Sequence, residues 1–370
     1  MKKALVVFLL FALVGTGAFA APTFLWQGHV DGGVAMMNFA GDDDPVFGTI
    51  ASQAWVDGIR TQIQFSFTNA AGNAGIRYRM RAQGGGAAYN TGIINHQGWA
   101  WVDLFGGLLH ARGGRVHDDV LSSVTYEGWT LFNNQGLLLH LNPLGDMLTL
   151  AAGAFTGESL DNGSPWDAGQ LNAYFGARVN LVDLVDVRAQ LTHSYAATHA
   201  LASLGIRALP GIPINFAARF WDLNDFGDTG VMALRLHAAF NIIDNVSLNF
   251  KGGVGTNAAA DDPHFFVGGW AHIVMGDLMP RIDIYYTSGG AYIYTYGLNA
   301  VGSIWDSPAA TFNADQSFLS IRPALRFRTT PTSWLEVGCL FNIDLGDVSA
   351  VGGSETGTTW GAFASVRVTF

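Results

Sequence analysis

Cysteine is almost absent from this 370-residue chain: Cys339 stands alone, so neither a disulfide framework nor a cysteine-based zinc site is available. Charge is scarce as well, with Asp, Glu, Lys and Arg making up 13% of residues against about 25% in an ordinary soluble domain. Beyond residue 20 no apolar run approaches the roughly 20 positions that a membrane-crossing helix needs, which excludes a helical membrane protein. The scarcer sign is positive. With 19 basic against 29 acidic side chains and a net charge of −10, no nucleic-acid partner is expected, because phosphate binding calls for a basic surface. Catalytic signatures are missing too: there is no G-x-S-x-G, H-E-x-x-H or G-x-x-x-x-G-K-[ST], and Gly252-Gly253-Val254-Gly255-Thr256 lacks the lysine of a phosphate loop. His264 and His272 would lie about 26 Å apart along a strand, too far to share a metal. The expectation is a protein that is not an enzyme and carries no metal or other cofactor.

What is present is hydrophobic and rich in glycine: 49% apolar residues and 47 glycines, about one residue in eight. Residues 1–20 read as a secretory address. Met1 to Lys3 is a basic head, Ala4 to Val14 an apolar stretch too short to span a bilayer, and Ala18-Phe19-Ala20 a small-residue cleavage pattern, with cleavage between Ala20 and Ala21. Losing Lys2 and Lys3 takes the net charge from −10 to −12 and leaves Lys251 as the only lysine beside sixteen arginines. Residues 21–370 then form one domain, with no stretch that reads as a soluble plug or a second module.

Beyond Ala20 the dominant period is two, in segments of about ten residues separated by Gly, Asn, Asp and Pro. Ile76, Tyr78, Met80 and Ala82 share one face while Arg77, Arg79 and Arg81 share the other. Ile63, Phe65 and Phe67 oppose Gln62, Gln64 and Ser66, and Leu335, Val337, Cys339, Phe341 and Ile343 oppose Glu336, Asn342 and Asp344. A soluble sandwich also alternates, but its strands run to about five or six residues. Ten-residue strands behind a secretory signal, with no helical segment, suit a bilayer instead, where only helices and closed barrels satisfy every backbone group. The fold expected is all-β: a transmembrane, antiparallel, up-and-down β-barrel.

Short turns are expected at residues 68–72, 105–107, 142–146, 181–186, 209–213, 241–245, 276–280 and 329–333. Longer connections lie near 40–57, 83–97, 116–134, 157–169, 222–229, 255–263, 297–316 and 345–357, with a tight one near 197–199. Eight turns and nine loops join eighteen strands, with sixteen as the nearest alternative. Either count encloses an aqueous lumen. The arginines sit on the polar parity of their strands, as they must if a lipid-facing Arg at mid-membrane costs about 2 to 4 kcal/mol. Arg77, Arg79 and Arg81 stack about 7 Å apart and repel one another unless something acidic faces them. Tryptophans at 26, 55, 99, 101, 221, 270, 334 and 360 lie mostly toward strand ends and are read as interfacial girdles. Tyr285, Tyr286, Tyr292, Tyr294 and Tyr296 are a weaker candidate for a sugar-stacking track. Acidic residues crowd the other connections, such as Asp42, Asp43 and Asp44, but without the twelve-residue calcium loop and its closing Glu they read as solvated loops.

The last segment alternates Trp360, Ala362, Ala364, Val366, Val368 and Phe370 with Gly361, Phe363, Ser365, Arg367 and Thr369. It resembles the closing strand of bacterial outer-membrane proteins, and that resemblance implies that Val366, Val368 and Phe370 form the signal read by the barrel-assembly machinery. The architecture as a whole resembles the general diffusion porins, whose third loop folds inward so that its carboxylates face a ladder of arginines. By that resemblance Arg60, Arg77, Arg79, Arg81 and Arg112 make the basic wall of a constriction, and Asp118, Asp119 and Glu127, in the third long connection, the acidic one. It implies an outer-membrane location, contact with membrane lipid and passage of small hydrophilic solutes and ions, and it leaves a homo-trimer open. Two other functions remain: a surface adhesin or structural barrel, and a channel selective for sugars or organic anions.

Overall fold

The structure, a computed structural model, describes residues 21–38, 46–50, 59–84, 93–125, 129–156, 171–182, 184–194, 197–225, 231–257, 264–288, 317–345 and 359–370. Residues 1–20 and Glu127 lie outside them. The alternating segments form strands β1 (Thr23–Asn38), β2 (Val46–Ile50), β3 (Ile59–Thr68), β4 (Ala74–Gly84), β5 (Ile93–Leu104), β6 (Leu109–His117), β7 (Asn133–Leu141), β8 (Pro143–Asp146), β9 (Leu148–Thr156) and β10 (Leu171–Leu181). The chain continues through β11 (Val185–His193), β12 (Thr198–Ile206), β13 (Ile214–Trp221), β14 (Val231–Ile243), β15 (Val246–Asn257), β16 (His264–Ile273), β17 (Leu278–Ser288), β18 (Ser317–Thr330), β19 (Ser333–Asp344) and β20 (Thr359–Thr369).

Each barrel strand pairs antiparallel with its neighbours, and β1 closes the circle by pairing with β20 on one edge and β3 on the other. β2 continues the β3 edge, joining Gly33–Met37 of β1 beyond the point where β3 stops, and β8 is a short piece of the β7–β9 turn. Among the described residues the barrel therefore has eighteen strands, the larger of the two numbers expected. All eight short turns fall where the turn residues place them. Asn245, at φ +67°, and Gly276, at φ +60°, adopt the left-handed backbone that two of these turns require.

Burial follows parity, with the senses of a soluble protein reversed. On β11, Asp186 and Gln190 are buried while Val187 and Leu191 are exposed; on β4, Ile76 and Tyr78 point outward and Arg77 and Arg79 inward. Phe175, Phe216, Leu248, Phe327, Leu335 and Val366 continue the exposed apolar band around the barrel. A continuous apolar exterior of this extent needs lipid, and closure leaves no unpaired edge inside it. At the seam, Gly28 and Phe370 exchange backbone hydrogen bonds of 2.9 and 3.0 Å. The Phe370 ring lies over Gly28, where a Cβ would come within 2.9 Å of it, and beside Trp26 at 5.4 Å between centroids.

Candidate functional site: an inward loop and its basic wall

The third long connection runs inside the barrel. After β6 the backbone N–H of Asp118 bonds Phe132 O at 2.9 Å, which closes the neck of the loop. The buried Asp118 carboxylate then accepts from Tyr174 Oη at 2.7 Å, from His140 Nε2 at 3.2 Å and from the backbone N–H groups of Val120 and Leu121 at 3.1 Å each. Leu121 presses onto β10 at Gly176, where a side chain would leave only 2.5 Å. Gln190 donates to Leu121 O at 2.5 Å and accepts from Leu131 N at 2.7 Å, and Arg188 donates to Ser122 O. Further along, Val124 N meets Ser203 Oγ at 3.4 Å, and Trp129 packs with Leu201, Ala217, Trp221, Ala233, Phe266 and Tyr285. The wall residues in these contacts are lumen-facing members of strands from β7 to β17. The apolar cores of the molecule, around Trp129 and around Leu121 and Phe132, are thus formed between this loop and the inner wall.

Asp119 points the other way. Its carboxylate lies 2.5 Å from Arg112 Nη1 and 4.0 Å from Arg77 Nη1. Arg112 also donates to His110 Nε2 at 2.8 Å, and His110 Nδ1 meets Asp103 at 2.5 Å. Arg77 and Arg112 both lie over the Trp99 ring, at 5.3 and 5.8 Å. Together with Trp101 these groups line a cavity of about 230 Å³. Burial opposes ionisation of both aspartates but is outweighed: Arg112 holds the Asp119 carboxyl below the ordinary carboxylate range, and His140, Tyr174 and a backbone N–H do the same for Asp118.

The arginine stack is steadied differently from the sequence expectation. Across the β3–β4 ladder Arg77, Arg79 and Arg81 face Ser66, Gln64 and Gln62. Arg79 donates twice to Gln64 Oε1, at 3.1 and 2.7 Å, and Arg81 donates to Gln62 Oε1 at 3.1 Å. Neutral amides therefore help to hold these two guanidiniums, and the Asp119 carboxylate comes within 4.0 Å of Arg77. Of the expected acidic residues, Asp119 meets this basic group and Asp118 fastens the loop to the wall behind it. Glu127 and the side chain of Arg60 lie outside the described residues, the Arg60 backbone pairing with Asp31 and Gln83.

The girdle reading of the tryptophans needs correction. Trp26 and Trp360 do sit exposed on the outer face, but Trp99, Trp221 and Trp334 are buried on the lumen side, each beneath a cation. Arg219 lies 4.4 Å over Trp221, Arg326 4.0 Å over Trp334 and Lys251 5.1 Å over Trp270. Parity carried the signal: Trp221 shares a strand face with Arg219, and Trp334 with Glu336. Tyr285 and Tyr286, adjacent on one strand, face opposite sides, with Tyr285 in the core against the loop and Tyr286 beside Phe265; Tyr292, Tyr294 and Tyr296 lie outside the described residues. On the far wall Arg322 bridges Asp283 and Glu336, with Arg281 and Arg326 completing the row.

No protein-family model and no curated protein sequence matches the chain. Solved structures do resemble it. An anion-selective porin from Comamonas acidovorans superposes with a TM-score of 0.51 at 12% identity, covering 94% of this chain and 100% of that one. Pseudomonas aeruginosa OprD gives 0.55 at 10% identity over 96% and 97%, and OccD3 (OpdP) of the same organism gives 0.54 at 11% identity over 96% and 92%. With its closed antiparallel circuit of eighteen strands and its apolar exterior, the chain is a membrane β-barrel whose fold is that of the porins.

Proposed function

We propose that the protein is a passive channel of the outer membrane, admitting small hydrophilic solutes and ions and favouring anions. The observation that carries this reading is the opposition of Asp119, on the inward loop, to Arg77 and Arg112 of a wall whose next two arginines, Arg79 and Arg81, donate to Gln64 and Gln62. In this reading Arg77, Arg79, Arg81, Arg112 and Arg60 form the basic side of a constriction. Asp119 forms the acidic side with Glu127, and Asp118 positions the loop that presents them. A transverse field of this kind orders water and favours polar over apolar solutes, and the excess of guanidiniums on the described lumen wall sets the sign. Passage needs no covalent chemistry and no cofactor. Residues 1–20 would direct export and be removed between Ala20 and Ala21, and Val366, Val368 and Phe370 would present the closing strand to the barrel-assembly machinery.

The test is selectivity. Replacing Arg77, Arg79 and Arg81 together by glutamine should move the reversal potential in a salt gradient toward cations while the barrel still folds. An unchanged reversal potential in a folded triple variant would remove these residues from the pore.

A further inference from the structure

A second basic cluster, at the short-turn end of the lumen below the inward loop, is built unlike the rest of the wall. On the far side three arginines share two carboxylates, Asp283 and Glu336. Here Arg178, Arg188 and Arg207 all converge on one, Asp186, with closest approaches of 2.9, 2.8 and 3.1 Å. Arg178 and Arg188 are direct cross-strand partners, an arrangement that costs stability when both carry the same charge. Five N–H contacts saturate the Asp186 oxygens, and Arg188 spends one further donor on Ser122 O of the loop. At five donors per guanidinium, fewer than half of the cluster's N–H groups meet a partner among the described residues. Arg207 is the most open of the three, with 42% of its side chain exposed, whereas Asp186 is fully covered. Beside them Asn180, the cross-strand partner of Asp186, has a buried Oδ1 with no hydrogen-bond partner among the described residues.

We infer that Arg178, Arg188, Arg207 and Asn180 form a binding site for a phosphate group on the short-turn side of the inward loop. Guanidinium forks match the oxygen edges of a tetrahedral anion. A hydrogenphosphate also carries a hydroxyl that can donate to Asn180 Oδ1, which sulfate cannot do. Asp186 has two roles in this site. It holds three repelling cations together before the anion arrives, and it lowers the local charge from three to two, so that the anion binds but also leaves. A conducting path requires that balance.

The proposal deepens the channel reading above, yet binding can be measured without any current. Titration calorimetry of the refolded full-length barrel in detergent, with inorganic phosphate as the probe and sulfate as the contrast, is the experiment. Heat of phosphate binding should be detected, with affinity about tenfold weaker in Arg207→Gln, whose side chain is half exposed, and in Arg178→Gln, as expected for losing one charge-assisted fork. Asn180→Ala should abolish the preference for phosphate over sulfate. In Asp186→Asn the anion should bind about tenfold more tightly, because the competing charge is gone. Heat-modifiable migration on gels checks that each variant is folded. Absence of phosphate binding, or undiminished binding in a folded Arg207→Gln barrel, overturns the site even if the channel conducts. A silent barrel that still binds phosphate overturns the channel reading and leaves the site standing.

Discussion

Four donors converge on the Asp118 carboxylate: His140 Nε2, Tyr174 Oη and the backbone N–H groups of Val120 and Leu121. Deleting it strands all four inside a core. Leaving a buried donor unsatisfied costs about 1 to 3 kcal/mol, so Asp118→Ala should lower the unfolding free energy of the refolded barrel by about 3 kcal/mol or more. Denaturant titration checks it, and a loss under about 1 kcal/mol would mean that the other wall contacts hold the loop without Asp118. The sequence placed Asp118 in the right connection but could not choose between a side chain that faces the pore and one that faces the wall. Its partners, His140 and Tyr174, are 22 and 56 residues away. The neighbouring Asp119 points oppositely, across a tight turn in which its N–H bonds His117 O at 3.1 Å. The lumenal tryptophans were readable in principle, since each shares parity with a polar neighbour, but position near strand ends pointed to the headgroup zone instead.

At the level of the element, turns were legible because their chemistry is local: Asn, Asp, Gly and Pro at the short connections mark every reversal. The inward course of the third loop was not legible from its own residues. It is fixed by wall side chains scattered over β7 to β17, among them Gln190, Ser203 and Arg235, and by Gly176, which leaves room for Leu121. The loop's attachment should depend on acid. Asp118 and Asp119 both have folded-state ionisation below the ordinary value of 3.8, so their contribution is complete above that value and is lost as pH falls through the lower, folded one. Titration from pH 8 to pH 5 should therefore leave these two contacts intact, and release should come only below pH 3.8. Fluorescence of Trp129, in a variant with the other lumenal tryptophans replaced by phenylalanine, reports it. Release of the loop above pH 5 would contradict an aspartate-held anchor.

For the molecule as a whole, the period of two, the even spacing of turns and the scarcity of charge were enough to specify a closed barrel of the right strand number. A barrel's exterior and interior are each encoded strand by strand, and registry with the next strand needs no long-range information beyond the turn between them. Function is less local. It depends on which lumen charges remain after wall residues have paired with each other, and Asp186, Asp283 and Glu336 are largely spent on that pairing. The central claim is that what remains is an open, anion-favouring passage. Residues 21–370 refolded into planar bilayers, with current recorded under a potassium chloride gradient, test it most directly. The account predicts stepwise, long-lived conductance and a reversal potential of the sign set by chloride. A folded barrel that stays electrically silent, or one whose reversal potential follows potassium, would contradict it.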